Sequence, residues 1–161
     1  MKMNSKIKSV QELKKISDKL RSQSKKIVTT NGVFDILHVG HIRYLKQAKS
    51  LGDILIVGIN SDSSVKKIKG PKRPINSENE RAEVLSALQF VDYILIFSED
   101  NPVSWLKEIK PHYHAKGGDY SIDRIIERSV VESNHGKIVL LSLAEGKSTS
   151  NIIERIKSEN T

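Results

Sequence analysis

Residues 29–41, TTNGVFDILHVGH, place two imidazoles, an aspartate and two glycines in one connection. His38 and His41 are three positions apart, so in helical geometry both rings share a face. Three chemistries use such a pair: a metal held by imidazole, a proton-transfer couple in which Asp35 is a candidate base, or a cradle for phosphate. The spacing differs from the H-E-x-x-H of zinc proteases, where the histidines are four apart and a glutamate follows the first. The chain contains no cysteine, so a metal would need oxygen or imidazole ligands, and only His112 and His114 offer themselves as a third. For an isolated histidine, a hydrogen-bonded structural role is the commoner one. Gly32 and Gly40 allow a ligand close to the backbone, and a helix starting near His41 would turn unpaired N–H groups toward an anion.

These residues need a scaffold, and the hydrophobic pattern supplies one. Ser9-Val10-Gln11-Glu12 has capping-box spacing, and Val10, Leu13, Ile16 and Leu20 follow at helical intervals. Ile27-Val28-Thr29-Thr30 is a short β-rich run, and after the histidine loop Ile42, Leu45 and Ala48 define a helix that Gly52-Asp53 ends. ILIVGI, residues 54–59, is a buried second strand, and 62–69 fit a short helix. GPKRP, residues 70–74, breaks any helix and reads as a loop. A second capping box, Ser77 to Glu80, opens a helix that buries Ala82, Leu85 and Leu88, before a third strand from Val91 to Phe97. Asn101-Pro102 reads as an N-cap with proline at the first helical position, followed by an inner face of Val103, Leu106 and Ile109, with Trp105 as packing. A fourth strand around His112 to Ala115 runs into KGGDY. A helix from about Ile122 to Asn134, a turn at His135-Gly136, a strand from Ile138 to Leu143 and a helix after Ser148 complete the pattern.

About five strands alternating with helices predict a parallel sheet covered on both faces, and right-handed crossovers make it a doubly wound, Rossmann-like α/β domain. We expect one domain over 1–161, with a helical lead-in at 1–24, a core at 25–157 and a frayed tail at 158–161. With strand order 3-2-1-4-5, the ligand crevice lies beyond the carboxyl ends of strands one and four. The loops TNGVFDILHVGH and KGGDY meet there, with AEGKSTS after strand five beside them.

The formal charge of +8 invites nucleic acid, but the lysines are scattered and few aromatic residues are present to stack on bases. Small phosphorylated substrates suit the same charge better. No apolar run is long enough to cross a bilayer, and MKMNSKIKSV lacks the apolar core and cleavage site of a secretory signal, so the expected location is the cytoplasm.

His38-Val39-Gly40-His41, preceded by Asn31-Gly32-Val33-Phe34-Asp35, resembles the H-x-G-H signature of the cytidylyltransferase-like nucleotidyltransferases. Within that family the chain is similar to the adenylyltransferase domains that form ADP-heptose from heptose 1-phosphate. The similarity runs through KKIVTTNG, GINSDSSVKKIKGPKRPIN, NERAEVLSAL, VDYILIF, AKGGDY and AEGKSTSNIIERI, nearly the whole chain. Val33 stands where that group commonly has cysteine, and the apolar residue at Leu143 separates the chain from the glycerol-phosphate cytidylyltransferases, which usually carry arginine nearby. Many heptose enzymes are fused to a sugar kinase, so a separate kinase is expected to supply the phosphorylated sugar.

The resemblance implies that a sugar 1-phosphate oxygen attacks the α-phosphorus of ATP and pyrophosphate leaves, to feed lipopolysaccharide core or related surface-glycan synthesis. His38 and His41 would be the catalytic donors. Asn31, Gly32, Val33, Phe34, Asp35 and Gly40 would form the nucleotide loop, Lys116, Gly117, Gly118 and Asp119 would line its other side, and Ser148 and Thr149 would meet a phosphate from a helix start. Lys69 and Arg73 are candidates to close over substrate phosphates, and Arg81 sits where the family carries a functional arginine. Lys46 has no evident part in catalysis. Mg²⁺ is expected to arrive with ATP, because the chain shows no dedicated carboxylate cage. A homodimer is implied, with no nucleic-acid or membrane partner. Two alternatives stand beside this reading: a cytidylyltransferase acting on glycerol 3-phosphate or another polyol phosphate, and a non-catalytic nucleotide or nucleic-acid binding module.

Overall fold

The computed structural model describes residues 5–118, 121–142 and 148–159. Five parallel strands form one sheet: β1 (Ile27–Gly32), β2 (Ile54–Asn60), β3 (Tyr93–Phe97), β4 (Tyr113–Gly117) and β5 (Lys137–Leu141), in the order β3-β2-β1-β4-β5. The expected 3-2-1-4-5 order is therefore present. The helices are α1 (Val10–Ser22), α2 (Val39–Ser50), α3 (Asp62–Lys69), α4 (Glu78–Ser86), α5 (Val103–Ile109), α6 (Arg128–Ser133) and α7 (Thr149–Ser158).

Alternation along β1 and β2 explains the two layers, since successive side chains of a strand point to opposite faces. Val28, Leu55, Val57 and Ile59 pack with Leu45 and Ala48 of α2 and with Ala82 and Leu85 of α4. Ile27, Ile56 and Leu95 pack on the other face with Leu13 of α1, Trp105, Leu106 and Ile109 of α5, and Val131 of α6. Trp105 is fully buried, as its packing role required, and a Cβ on Gly58 would lie 2.6 Å from its ring. Both serine capping boxes form, Ser9 with Glu12 and Ser77 with Glu80.

Several boundaries differ from the sequence reading. The helix expected over Ile122 to Asn134 is broken: a single 3-10 turn, Ile122–Arg124, is followed by extended backbone at Ile125 (φ −82°, ψ 110°) before α6. The reason is packing, because extended backbone sends Ile125 inward at 6% exposure and leaves Ile126 at 67%. Pro102 occupies the cap position of α5, one residue later than expected, while Asn101 Oδ1 still accepts from Val103 N–H at 3.1 Å. Ile7 adds a bridge to Ile94 on β3, a contact of the lead-in that periodicity did not indicate. α7 reaches Ser158; Leu143, Asn160 and Thr161 lie outside the described residues.

The ladders prepare the site. β1 stays paired to β2 through Gly32 opposite Ile59, and β4 to β5 through Gly117 opposite Leu141. The β1–β4 ladder, by contrast, ends with Thr29 opposite His114. The crevice opens where those two strands part.

Candidate active site

β1 carries Asn31 and Gly32 to the lip of the crevice, and the chain then turns sharply at Phe34, whose φ is +50°. That conformation disfavours a residue with a side chain and folds the ring back over the strand. A Cβ on Gly32 would lie 3.0 Å from Phe34 Cε2, so a side chain here would press on that ring. The Phe34 ring in turn stands 5.1 Å from that of His41, bracing the second imidazole.

The two histidines form the N-terminal cap of α2. His38 is the N-cap residue, with extended backbone, and its Nδ1 accepts from Gly40 N–H at 3.1 Å. His41 Nδ1 accepts from His38 N–H at 3.4 Å. This is the reciprocal logic of a capping box with imidazoles in both places. Its chemical consequence is a fixed tautomer: each Nδ1 is an acceptor, so the ring proton of each neutral imidazole sits on Nε2. The rings stack with centroids 3.8 Å apart. Burial, and then the neighbouring His38, push the His41 pKa down from 6.5 to about 4, which keeps that ring a neutral N–H donor at physiological pH.

Asp35 is held too tightly to act as a base. Its side chain is 1% exposed and accepts from Arg73 Nε at 2.6 Å, Ile75 N–H at 2.8 Å and Asn76 N–H at 2.9 Å, while Asn76 Nδ2 donates to its carbonyl. Burial alone would raise its pKa, but the two backbone N–H groups and the Arg73 guanidinium outweigh it and hold the carboxyl below the usual range. Asp35 therefore fastens the 70–76 segment to the histidine loop.

Together these elements enclose a cavity of about 360 Å³. Of the residues singled out in the sequence, Asn31, Gly32, Val33, Phe34, Asp35, His38, Gly40 and His41 line one side of it. Lys69, Arg73, Gly117, Ser148 and Thr149 line the rest. Ser148 caps α7 by accepting from Asn151 N–H, and Thr149 Oγ1 donates to Ile36 O, tying that helix start to the histidine loop.

Three expected residues are placed elsewhere. Lys116 and Gly118 are not on the cavity wall; Lys116 Nζ donates to Glu127 Oε1 at 2.8 Å and to Asn31 Oδ1 at 3.3 Å. Arg81 is 2% exposed and donates to the carbonyls of Asn76, Val33 and Asn60 and to Asp62 Oδ1. It braces the loops behind the cavity, which leaves Lys69 and Arg73, among the described residues, as the cations facing it. Asp119 lies outside the described residues, as do Ala144 to Lys147 of the AEGKSTS connection.

Tyr44 and Ser150 line the cavity without having been foreseen. Tyr44 Oη donates to Ala115 O at 3.0 Å and meets Thr30 Oγ1 at 2.6 Å, bridging β1, β4 and α2 beyond the end of the ladder. Its signal was its place one helical turn after His41, on the same face as the histidines. Among the described residues, no group of three or more His, Asp or Glu side chains is arranged to hold a metal, and no helix is long and apolar enough to cross a membrane.

A family model for cytidylyltransferase-like proteins matches residues 29–155. The bifunctional protein HldE of Pelobacter propionicus is 48% identical over 153 residues, 95% of this chain and 31% of that protein. The HldE of Aliarcobacter butzleri is 49% identical over 154 residues, 96% of this chain and 32% of the relative. The chain thus spans about a third of the length of the curated relatives it matches. Among solved structures, the lipopolysaccharide core biosynthesis protein from Thermoplasma volcanium superposes with a TM-score of 0.63 at 32% identity, covering 76% of this chain and 99% of that one. Pantoate-beta-alanine ligase from Francisella tularensis, 16% identical with a TM-score of 0.56 over 96% of this chain and 78% of its own, shares the fold. With the model match spanning the histidine loop through the last helix, the chain belongs to the cytidylyltransferase-like family.

Proposed function

We propose that this chain is an adenylyltransferase that joins heptose 1-phosphate to the AMP moiety of ATP, releasing pyrophosphate. The observation that carries the transfer chemistry is the imidazole cap of α2: two rings with fixed Nε2–H donors, at a helix N-terminus, in the wall of the cavity. Imidazole N–H donors with a helix dipole behind them suit an oxyanion that gains charge during reaction. The heptose follows from the motif resemblance, and the structural likeness to a protein described as acting in lipopolysaccharide core biosynthesis supports the same setting.

In the reaction, a phosphate oxygen of the sugar 1-phosphate forms a bond to the α-phosphorus, and the bond from that phosphorus to the β-phosphate bridging oxygen breaks. His38 and His41 donate to the phosphate oxygens as negative charge shifts toward the leaving pyrophosphate. Lys69 and Arg73 face the same space and neutralise substrate phosphates, with Arg73 positioned through Asp35. Most of the acceleration then comes from alignment and charge stabilisation. Mg²⁺ would come bound to ATP and would add to the neutralisation of the phosphates.

The reaction belongs in the cytoplasm, where ATP is available, with a kinase activity supplying the sugar phosphate and a homodimer as the working assembly. The test is pyrophosphate release from a matrix of ATP or CTP against heptose 1-phosphate, other sugar 1-phosphates and glycerol 3-phosphate. ATP with heptose 1-phosphate should give the highest kcat/KM. Preference for CTP with a polyol phosphate, or binding without any turnover, would overturn the assignment.

A further inference from the structure

Beyond Thr29 and His114, side chains replace the backbone ladder between β1 and β4. Two residues past the last pair on each strand, Lys116 Nζ reaches Asn31 Oδ1 at 3.3 Å. The ammonium is anchored behind by Glu127, whose Oε1 accepts at 2.8 Å. That carboxylate comes from the cap residue of α6, whose backbone is already helical (φ −71°, ψ −14°), and its side chain is 7% exposed; the lysine's is 18% exposed. A carboxylate so buried needs a cationic partner, and Lys116 is the cation beside it.

The lysine's contact has a directional consequence. An ammonium only donates, so the Asn31 atom facing it must be the carbonyl oxygen, and the Nδ2 donors are on the other branch of the carboxamide. Asn31 lines the cavity, whereas neither Lys116 nor Glu127 does. We propose that Glu127 is a positioning residue for nucleotide binding: it holds Lys116, and Lys116 turns the Asn31 carboxamide so that its N–H donors are presented to the nucleotide. Glu127 and Lys116 thus act from behind the wall, and Asn31 is the group that touches the ligand. This rests on the nucleotidyl-transfer reading but on neither the sugar nor the choice of ATP over CTP.

The experiment measures Kd for ATP and for CTP by calorimetry with the full chain, together with kcat and KM for each substrate, in Glu127→Gln, Lys116→Met, Asn31→Ala and the double variant Glu127→Gln/Asn31→Ala. Loss of a charge-assisted contact predicts that Glu127→Gln weakens binding of the preferred nucleotide by about tenfold. The KM for the sugar phosphate and kcat should stay within about twofold, because the imidazole cap is untouched. Lys116→Met should match it, and the double variant should bind no worse than Asn31→Ala alone, since all act through one carboxamide. If Glu127→Gln unfolds, Glu127→Asp and Lys116→Met read the same coupling.

Unchanged nucleotide affinity with lowered thermal stability would overturn the proposal, because Glu127 would be merely structural. Tighter binding in Glu127→Gln would overturn it too, showing that Lys116 is itself a phosphate ligand restrained by the carboxylate. Additive losses in the double variant would have the same force. A wild-type chain that binds neither nucleotide would remove the nucleotidyl reading and this inference together. That result is distinct from a wild type and a Glu127→Gln variant that bind equally.

Discussion

Replacing Asp35 by asparagine keeps the size of the side chain and removes half of its acceptors. Oδ1 takes Ile75 N–H at 2.8 Å and Asn76 N–H at 2.9 Å, and Oδ2 takes Arg73 Nε at 2.6 Å. An asparagine serves this set best by keeping its oxygen on the two backbone donors, which turns its amide N–H against the Arg73 N–H. The variant then lacks one charge-assisted hydrogen bond and leaves a guanidinium with a buried donor in its place, at a cost of about 2–3 kcal/mol. With an m-value of about 2 kcal/mol per molar urea, the unfolding midpoint should fall by about 1–1.5 M. Released from Asp35, Arg73 no longer has a fixed position on the cavity wall, so KM for the phosphorylated substrates should rise more than kcat falls. A midpoint within about 0.3 M of wild type would refute the argument, since it would mean that Asp35 does not bear the 73–76 segment at all.

Three further outcomes follow from the same contacts. His38→Ala or His41→Ala should each lower kcat by about a hundredfold or more while circular dichroism shows the fold retained, and an unchanged kcat in both would remove them from the transition state. Stability should decline with acid through His114, which is fully buried with Nδ1 2.8 Å from Thr29 Oγ1 and has its pKa lowered from 6.5 to about 3 by burial and then by Lys116. The unfolded chain binds a proton that the folded chain refuses, so this stability is complete above about pH 6.5 and is lost at up to about 1.4 kcal/mol per pH unit on going down toward pH 3. His41 adds to the slope down to about pH 4. The gap between urea midpoints at pH 7 and pH 5 should narrow in His114→Gln to the share that His41 keeps, and an equally steep variant would assign the slope elsewhere. Arg81→Met should destabilise by about 3–5 kcal/mol in equilibrium unfolding, because four acceptors behind the cavity lose their donors at once. A change below about 1 kcal/mol would return Arg81 to a surface role.

The sheet order was legible because each strand is an apolar run set between helical periods, and right-handed crossovers leave few topologies for such a chain. Most of the cavity wall was legible for a related reason: glycines, histidines and serines stand in loops that the topology gathers at one end. What escaped depends on partners distant in sequence or on backbone that a packing demand dictates. Histidine is not among the usual cap residues, so periodicity started α2 near His41 when His38 already closes its end. Ile125 and Ile126 look alike in a helical window, and only the folded chain separates them, burying the first and exposing the second. An arginine on a helix reads as solvated, yet Arg81 meets carbonyls of three separate segments that no local pattern connects to it. Glu127 was passed over for the same reason, its partner being eleven residues away across the break.

The division of labour in the crevice follows from where β1 leaves β4. Past Thr29 the register pairs the two strands no further, so peptide groups and side chains hold the walls by other means. Ala115 O accepts from Thr30 Oγ1 and from Tyr44 Oη, each at 3.0 Å, although those two hydroxyls also lie 2.6 Å from one another. Two protons cannot fill three contacts at once, so both are committed within the trio. Asp35 and Arg81 are likewise occupied with loop carbonyls and backbone donors. The polar groups at this end of the sheet are therefore mostly structural, although their types alone would nominate them for catalysis. The imidazoles escape that fate because each has two nitrogens: Nδ1 is consumed in capping α2, and the same bond fixes a proton on Nε2. A serine–glutamate cap in that place would satisfy the helix equally well and leave no such donor for phosphate.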